Sequence, residues 1–184
     1  STTAASVRLE QDGRTVVLGH GTFGRGGGTA AVAPRRDLSM PVVPGPDEAP
    51  RLTRDPTDGA EMSAHVERRP AADPWPLSGA DDARLLVWMR LGEERPVDPL
   101  SAVFLADAAV PPLYAALTAP VPIPSMDITV HLAPFPDREL GPWVLGVFTH
   151  RDGADGFVVD DGELWTPEGD LLALTRQLRR ALPA

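Results

Sequence analysis

Asp107 lies within a short apolar helix that is predicted over residues 98–109. A carboxylate in such a place can accept or donate a proton in a reaction. Asp98 is a suitable N-cap, Pro99 suits the first helical position, and a Pro pair follows the end. Counting by threes and fours predicts one buried stripe, which consists of Leu100, Val103, Phe104 and Asp107. A buried charge without partners is costly, so Asp107 is a candidate functional carboxylate. The alternative is that Asp107 lies at the edge of the stripe and forms a cap or an ion pair.

Turn residues and alternating apolar residues predict the strands around this helix. An antiparallel meander is predicted over residues 7–33, with a hairpin turn at Asp12-Gly13 and a further strand at 29–32. Residues 34–60 are rich in Pro, Asp and Arg and are predicted to form an exposed connection. Further strands are predicted at 61–69, 84–91, 125–133, 143–150, 156–166 and 171–181.

The segment 171–181 also fits a helical stripe, and an internal repeat decides in favour of a strand. Without a gap, residues 15–18 align with 156–159, 21–23 with 162–164, and 28–32 with 169–173. If the two repeats are equivalent, the first should have its own helix before position 1. The first residue is also not Met, so we expect that the sequence is the C-terminal part of a longer protein or lacks an N-terminal part.

Composition excludes several classes of function. The net charge of −9, with scattered basic residues, argues against nucleic acid or an anionic membrane as a partner. The chain has no Cys, which excludes a thiolate nucleophile, and it has no Gly-x-Ser-x-Gly motif, which argues against a serine hydrolase. Its four His residues lack metal-ligand spacing, so no metal is expected. No apolar run approaches the roughly 20 residues of a membrane helix, and a cytoplasmic protein without membrane insertion is expected.

Several motifs resemble those of the acyl-CoA thioesterase II family. They are Trp-Met-Arg-Leu at 88–91, Leu-Ala-Asp at 105–107, Ser-Met-Asp-Ile-Thr-Val-His at 125–131, Gly-Glu-Leu-Trp at 162–165, and Glu-Gly-Asp-Leu-Leu-Ala at 168–173. The resemblance implies an α+β double hotdog fold, in which a long antiparallel sheet wraps around a central helix in each unit. Residues 1–33 would then be the C-terminal strands of a first, incomplete unit, 34–60 a linker, and 61–184 a complete second unit.

The resemblance also implies a catalytic site. In the family, a helical Asp, a hydroxyl residue at a strand entry and a Gln in the final strand together position a hydrolytic water, and the matching residues are Asp107, Ser125 and Gln177. An aspartate can take the proton of that water while a hydroxyl and an amide orient it, so no cofactor is needed. Two positions depart from the family pattern: Thr is more common than Ser125, and an acidic residue usually stands where this chain has Leu178.

The expected substrate is a fatty acyl-CoA, hydrolysed to the free acid and CoA. Arg176, Arg179 and Arg180 surround Gln177 and could bind the CoA phosphates, although a solvated strand end explains them equally well. A non-catalytic double-hotdog protein that binds an acyl chain or serves in assembly is the alternative, and a hotdog hydratase is a weaker third. Because a short sheet exposes an edge, strands are expected to pair between subunits of a homo-oligomer or between the two units.

Overall fold

The computed structural model describes residues 2–25, 35–51, 64–93 and 95–183 and divides into two units, Ser1–Asp37 and Leu38–Ala184. In the first unit, β1 (Thr2–Gln11) pairs antiparallel with β2 (Arg14–Gly24). The hairpin turn lies at Asp12 and Gly13, as predicted, and both residues have positive φ angles, 50° and 73°. Turns of this kind match the twist of paired strands. The strand predicted at 29–32 lies outside the described residues.

In the described part of the second unit, six strands form an antiparallel sheet with the order β3-β4-β6-β7-β8-β5, and one α-helix lies on it. Its elements are β3 (Val66–Ala72), β4 (Arg84–Leu91), α1 (Pro99–Asp107), a 3-10 helix (Pro112–Ala115), β5 (Ser125–Leu132), β6 (Val144–Ala154), β7 (Phe157–Trp165) and β8 (Leu171–Arg180). The last segment is a strand, so the choice made from the internal repeat is confirmed. A single helix on a long antiparallel sheet is the hotdog arrangement that the resemblance predicts.

Helix α1 begins where the sequence predicts. The Asp98 carboxylate accepts a hydrogen bond from the backbone N–H of Ser101 at 2.7 Å, and the Ser101 hydroxyl accepts one from the backbone N–H of Asp98 at 2.8 Å. This reciprocal capping box satisfies N–H groups that have no partner within a helix. Pro99 occupies the first turn, so the N-terminus of α1 is well capped. Asp107 is the last residue of this helix.

The predicted buried stripe of α1 is wrong. The residues that pack on the sheet are Ser101, Ala102, Leu105 and Ala106. Leu100 is 80% exposed, Phe104 is 40% exposed, and Asp107 is exposed with them. Residues 102–106 are apolar without interruption, so their periodicity did not determine one face. The small side chains of Ala102 and Ala106 lie on the side that approaches the sheet. Asp107 is therefore an exposed group on an accessible apolar face.

The sheet buries apolar residues on both faces. On the inner face, α1 contributes Ala102, Leu105 and Ala106 to a cluster whose sheet residues include Val87, Met89, Val144, Leu164, Leu172 and Ala173. On the outer face, residues within the predicted linker 34–60 pack against the sheet. Met40, Val43 and Ala49 join a cluster that contains Trp88, Trp143, Leu145 and Trp165. The indole N–H of Trp88 donates to the Pro44 carbonyl at 2.9 Å, and this part of the segment belongs to the second unit.

Candidate active site

The fold brings together three side chains that are far apart in the sequence. Asp107 ends α1, Ser125 begins β5, and Gln177 lies in β8. Strands β5 and β8 are neighbours in the sheet, and α1 packs against both of them. The end of the helix therefore meets the first residue of the edge strand and an inward-facing residue of the next strand.

A β-bulge directs Ser125 into this place. Ser125 pairs with Arg179, whereas Asp127 pairs with Leu178 and Ile128 with Gln177. Paired residues project from the same face, and successive residues alternate between faces. The shift between Ser125 and Asp127 thus puts Ser125 on the inner face with Gln177, and it puts Asp127 on the outer face. Bulges of this kind often redirect a side chain beside a functional site.

Gln177 connects the three groups. Its Nε2 donates to Oδ1 of Asp107 at 2.5 Å and to Oγ of Ser125 at 2.6 Å. The Ser125 hydroxyl in turn donates to Asp107 Oδ1 at 3.3 Å. Gln177 is 4% exposed, whereas Asp107 and Ser125 are exposed. The carboxylate is therefore accessible to solvent, while the amide that contacts it is buried.

Arg179 lies behind these groups and contacts two of them. Its Nη1 donates to Ser125 Oγ at 3.0 Å, its Nη2 donates to Gln177 Oε1 at 2.5 Å, and its Nε donates to Asp160 Oδ2 at 2.9 Å. The side chain is buried, with a residue exposure of 5%. The guanidinium is thus engaged inside the sheet, which does not fit the predicted contact of Arg179 with CoA phosphates.

Asp160 and His150 complete a line of polar groups that the sequence analysis did not identify. His150 Nδ1 lies 3.3 Å from Asp160 Oδ1. Burial raises the pKa of Asp160 above the usual aspartate value, against the opposing effects of Arg179 and His150. Burial also lowers the pKa of Arg179 from its usual value, against the effect of Asp160. Because arginine remains charged in proteins, Asp160 and Arg179 form a buried ion pair.

A sequence signal for Asp160 did exist. It occupies the inward-facing positions of β7 together with Val158, Gly162 and Leu164, all of them buried. A carboxylate at an apolar strand position is as unusual as one on an apolar helix face. The consecutive pairs Val158-Val159 and Asp160-Asp161 concealed which set of alternate residues faces the core.

Arg176 and Arg180 lie on the other face of β8. Their alternation with Gln177 and Arg179 places them outward. Arg176 forms a two-point ion pair with Asp161, at 2.7 and 3.0 Å. Arg180 donates to the backbone carbonyl of Asp155 at 2.6 Å and lies over the ring of Phe157. The structure therefore does not bring the three arginines together in one site.

An open groove lies beside the N-terminal half of α1. It has a volume of about 550 Å³, and its apolar lining includes Leu91, Leu100 and Phe104. Residues three, four and seven positions apart on a helix share one side, so Leu100, Phe104 and Asp107 form one exposed stripe. This stripe leads from the groove to the carboxylate.

Over the described residues, no group of three or more His, Asp or Glu side chains is arranged to hold a metal ion. No helix in this part of the chain is long and apolar enough to cross a membrane.

Comparison with known structures supports the fold. A hotdog-fold protein of unknown function from Alicyclobacillus acidocaldarius is 28% identical, with a TM-score of 0.86 over 100% of this chain and 69% of that one. A putative thioesterase II from Thermobifida fusca is 24% identical, with a TM-score of 0.76 over 99% of this chain and 68% of that one. Acyl-CoA thioesterase II TesB2 from Mycobacterium marinum is 19% identical, with a TM-score of 0.70 over 100% and 70%.

No curated protein sequence matches the chain significantly. The profile of the acyl-CoA thioesterase C-terminal domain matches residues 46–180, which include Asp107, Ser125 and Gln177 and most of the second unit. This match covers well over half of the 184 residues. The sheet and the helix within the matched range have the hotdog arrangement. The chain therefore belongs to the acyl-CoA thioesterase C-terminal domain family.

Proposed function

We propose that this protein hydrolyses acyl-CoA thioesters, with Asp107 as the general base. The observation that carries the proposal is the convergence of Asp107, Ser125 and Gln177 through hydrogen bonds of 2.5 to 3.3 Å. These are the three positions at which the sequence resembles the family's catalytic pattern. Their chemistry also matches the need of the reaction for one proton acceptor and two orienting groups.

The hydrogen bonds to Asp107 involve one of its two carboxylate oxygens. The Gln177 amide nitrogen and the Ser125 hydroxyl both donate to Oδ1. Within the described part of the chain, no hydrogen bond is made to Oδ2 of Asp107. That oxygen is the natural acceptor for a proton from a bound water.

The proposed reaction then has two steps. The water oxygen bonds to the thioester carbonyl carbon while one water proton moves to Asp107 Oδ2, which gives a tetrahedral oxyanion. The oxyanion collapses, the carbon–sulfur bond breaks, and the CoA sulfur leaves with the proton from Asp107. A free acid and CoA result, Asp107 is again ionised, and no cofactor takes part.

The exposed stripe of α1 supports an acyl group as the substrate. Leu100 and Phe104 present apolar side chains on the same side of the helix as Asp107, and both line the groove beside it. An acyl chain that follows this stripe would place its thioester carbonyl near the carboxylate. Apolar contact of this kind stabilises bound acyl chains by about 0.8 kcal/mol for each buried CH₂ group.

The two departures from the family pattern do not weaken the proposed mechanism. Ser125 retains the hydroxyl that donates to Asp107. Leu178 is on the outer face of β8, away from Gln177, so its side chain does not reach the proposed site. CoA phosphate binding by Arg176 and Arg180 remains a prediction, and both would have to leave their present partners.

The direct test measures CoA release from saturated acyl-CoA substrates of increasing chain length, for the parent and for Asp107→Asn. The parent is expected to hydrolyse at least one length, and the variant to be slower by about 10²-fold or more because an amide cannot take the proton. Asp127→Asn is the matched control, since Asp127 is an exposed carboxylate on the outer face of β5. Equal rates for the parent and Asp107→Asn would eliminate Asp107 as the base.

The alternative is a non-catalytic acyl-binding protein. It requires acyl-CoA to bind without turnover at any chain length, which calorimetry and the same assay together would reveal.

A homo-oligomer also remains a proposal. Strand β5 is an edge of the described sheet and exposes Met126 and Leu132, and such an edge can pair with another copy. A monomeric mass in light scattering would contradict this pairing between copies.

A further inference from the structure

We infer that Arg179 is a positioning residue that fixes the orientation of Gln177 and Ser125 beside Asp107, with Asp160 as its own anchor. The inference rests on the proposed function for its kinetic consequence, but its structural content is independent of that function. It replaces the predicted contact of Arg179 with substrate by an action through two neighbouring side chains.

The first argument concerns the Gln177 amide. A guanidinium has five N–H donors and no acceptor. The atom of Gln177 that faces Arg179 must therefore be the carbonyl oxygen Oε1, which accepts from Nη2 at 2.5 Å. The NH₂ group is then directed away from Arg179 and toward Asp107 and Ser125. The reversed amide would place donors against donors on one side and two oxygens together on the other.

The second argument concerns the Ser125 hydroxyl. Its oxygen accepts from Arg179 Nη1 at 3.0 Å and from Gln177 Nε2 at 2.6 Å. A hydroxyl has two lone pairs and one proton, so both lone pairs are used. The proton is left for Asp107 Oδ1. Apart from the bond of Arg179 to Asp160, the hydrogen bonds thus run from Arg179 toward the Asp107 carboxylate. Ser125 is assigned an orienting role and not that of a nucleophile.

The third argument concerns how Arg179 is held. Its residue exposure is 5% and that of Asp160 is 3%, so neither charge is solvated and each needs the other. The Nε–Oδ2 contact with Asp160 leaves both Nη atoms to point at Ser125 and Gln177. The planar fork of a guanidinium reaches two acceptors at once, and a lysine ammonium has no such fixed geometry.

Nuclear magnetic resonance can test the orientation without any activity. The chain contains two glutamines, Gln11 and Gln177, and no asparagine. A ¹⁵N-labelled protein whose purification tag contains no Asn or Gln therefore shows two pairs of side-chain NH₂ signals. Gln11 lies on the exposed hairpin and provides an internal reference. The pair that disappears in Gln177→Ala is assigned to Gln177. In the parent, we expect this pair to be displaced from the Gln11 pair and to exchange slowly with solvent.

In Arg179→Met, the Gln177 pair should move toward the position of the Gln11 pair, because the oxygen that fixed the amide has lost its donor. Asp160→Asn should produce a smaller displacement in the same direction and serves as the second variant if Arg179→Met does not fold. Arg69→Lys is the matched control, since Arg69 is also buried and paired, with Glu67, but on the outer face. A Gln177 pair that stays unchanged in both Arg179→Met and Asp160→Asn would overturn the inference.

Kinetics supply the second readout. Arg179→Met is expected to lower kcat by about 10- to 100-fold with KM within about 2-fold, since a misplaced orienting group affects the chemical step more than binding. Arg179→Lys should not restore kcat. Adding Gln177→Ala to Arg179→Met should cost little more, because the amide is already misdirected. If the two substitutions lowered kcat by independent factors that multiply in the double variant, the inference would be overturned. A parent that hydrolyses no acyl-CoA would remove the proposed function, and the amide signals would then decide on Arg179 alone.

Discussion

Ser125 and Asp127 are two positions apart in β5, yet they project from opposite faces of the sheet. The bulge between them pairs Ser125 with Arg179 on the inner face and Asp127 with Leu178 on the outer face. In a regular strand both would have faced the same way. The hydroxyl beside Asp107 therefore depends on one irregularity at the start of an edge strand.

Substitutions of Ser125 and Gln177 should follow a fixed order. Ser125→Thr keeps a hydroxyl and should retain turnover within a few-fold of the parent. Ser125→Ala and Gln177→Ala should each reduce kcat, but by less than Asp107→Asn, because they orient and do not accept the proton. Steady-state kinetics of the parent and these four variants, with Asp127→Asn as control, test the order. A Ser125→Ala variant slower than Asp107→Asn would contradict the assigned roles.

The capping box should contribute measurably to stability. Asp98→Ala removes the acceptor for the Ser101 backbone N–H, and the expected loss is about 1 kcal/mol. Asp98→Asn retains an acceptor and should lose less. Urea unfolding monitored by circular dichroism measures both changes. If Asp98→Ala were as stable as the parent, the cap would not help to hold α1 and its terminal Asp107.

Gly162 should not tolerate a side chain. A Cβ atom there would lie 2.5 Å from Thr175 Oγ1 and 2.7 Å from the Phe148 ring, and both neighbours are buried. Gly162→Ala is therefore expected to destabilise the protein by about 1–3 kcal/mol, the usual cost of overpacking a core. Gly141→Ala is the control, because a Cβ at that position has no atom within 4 Å. Comparable stability of the two variants in urea would show that β6, β7 and β8 have room to adjust.

Stability at acidic pH should depend on Asp161. The hydrogen bond from Arg176, together with Arg151, lowers the pKa of Asp161 below its usual value. Since the folded pKa is then lower than the unfolded one, ionised Asp161 stabilises the folded state above about pH 4, and this contribution disappears as the pH falls through the folded pKa. Asp161→Asn should therefore be less stable than the parent at neutral pH, with the difference shrinking on acidification. Urea midpoints at several pH values measure it, and a difference that grows toward acid would have the wrong sign.

Local sequence signals located most of the described elements, and the candidate groups were identified from the amino-acid sequence. Asp98, Pro99 and the following Pro pair located α1, because caps and breakers act over a few neighbouring residues. The internal repeat identified β8 as a strand where periodicity alone was ambiguous. The resemblance selected Asp107, Ser125 and Gln177, and the structure places these three side chains within hydrogen-bonding distance of one another.

The face from which each side chain projects depends on packing between distant segments of the chain. The continuous apolar residues 102–106 allowed several buried faces of α1, and packing of the small Ala side chains on the sheet selected one, which left Asp107 exposed. The bulge at the start of β5 set the direction of Ser125. Arg179 became an inward partner of Asp160 because strand register, and not local sequence, aligns β7 with β8. Faces and registers depend on contacts between distant segments, and such contacts leave only a weak trace in local sequence.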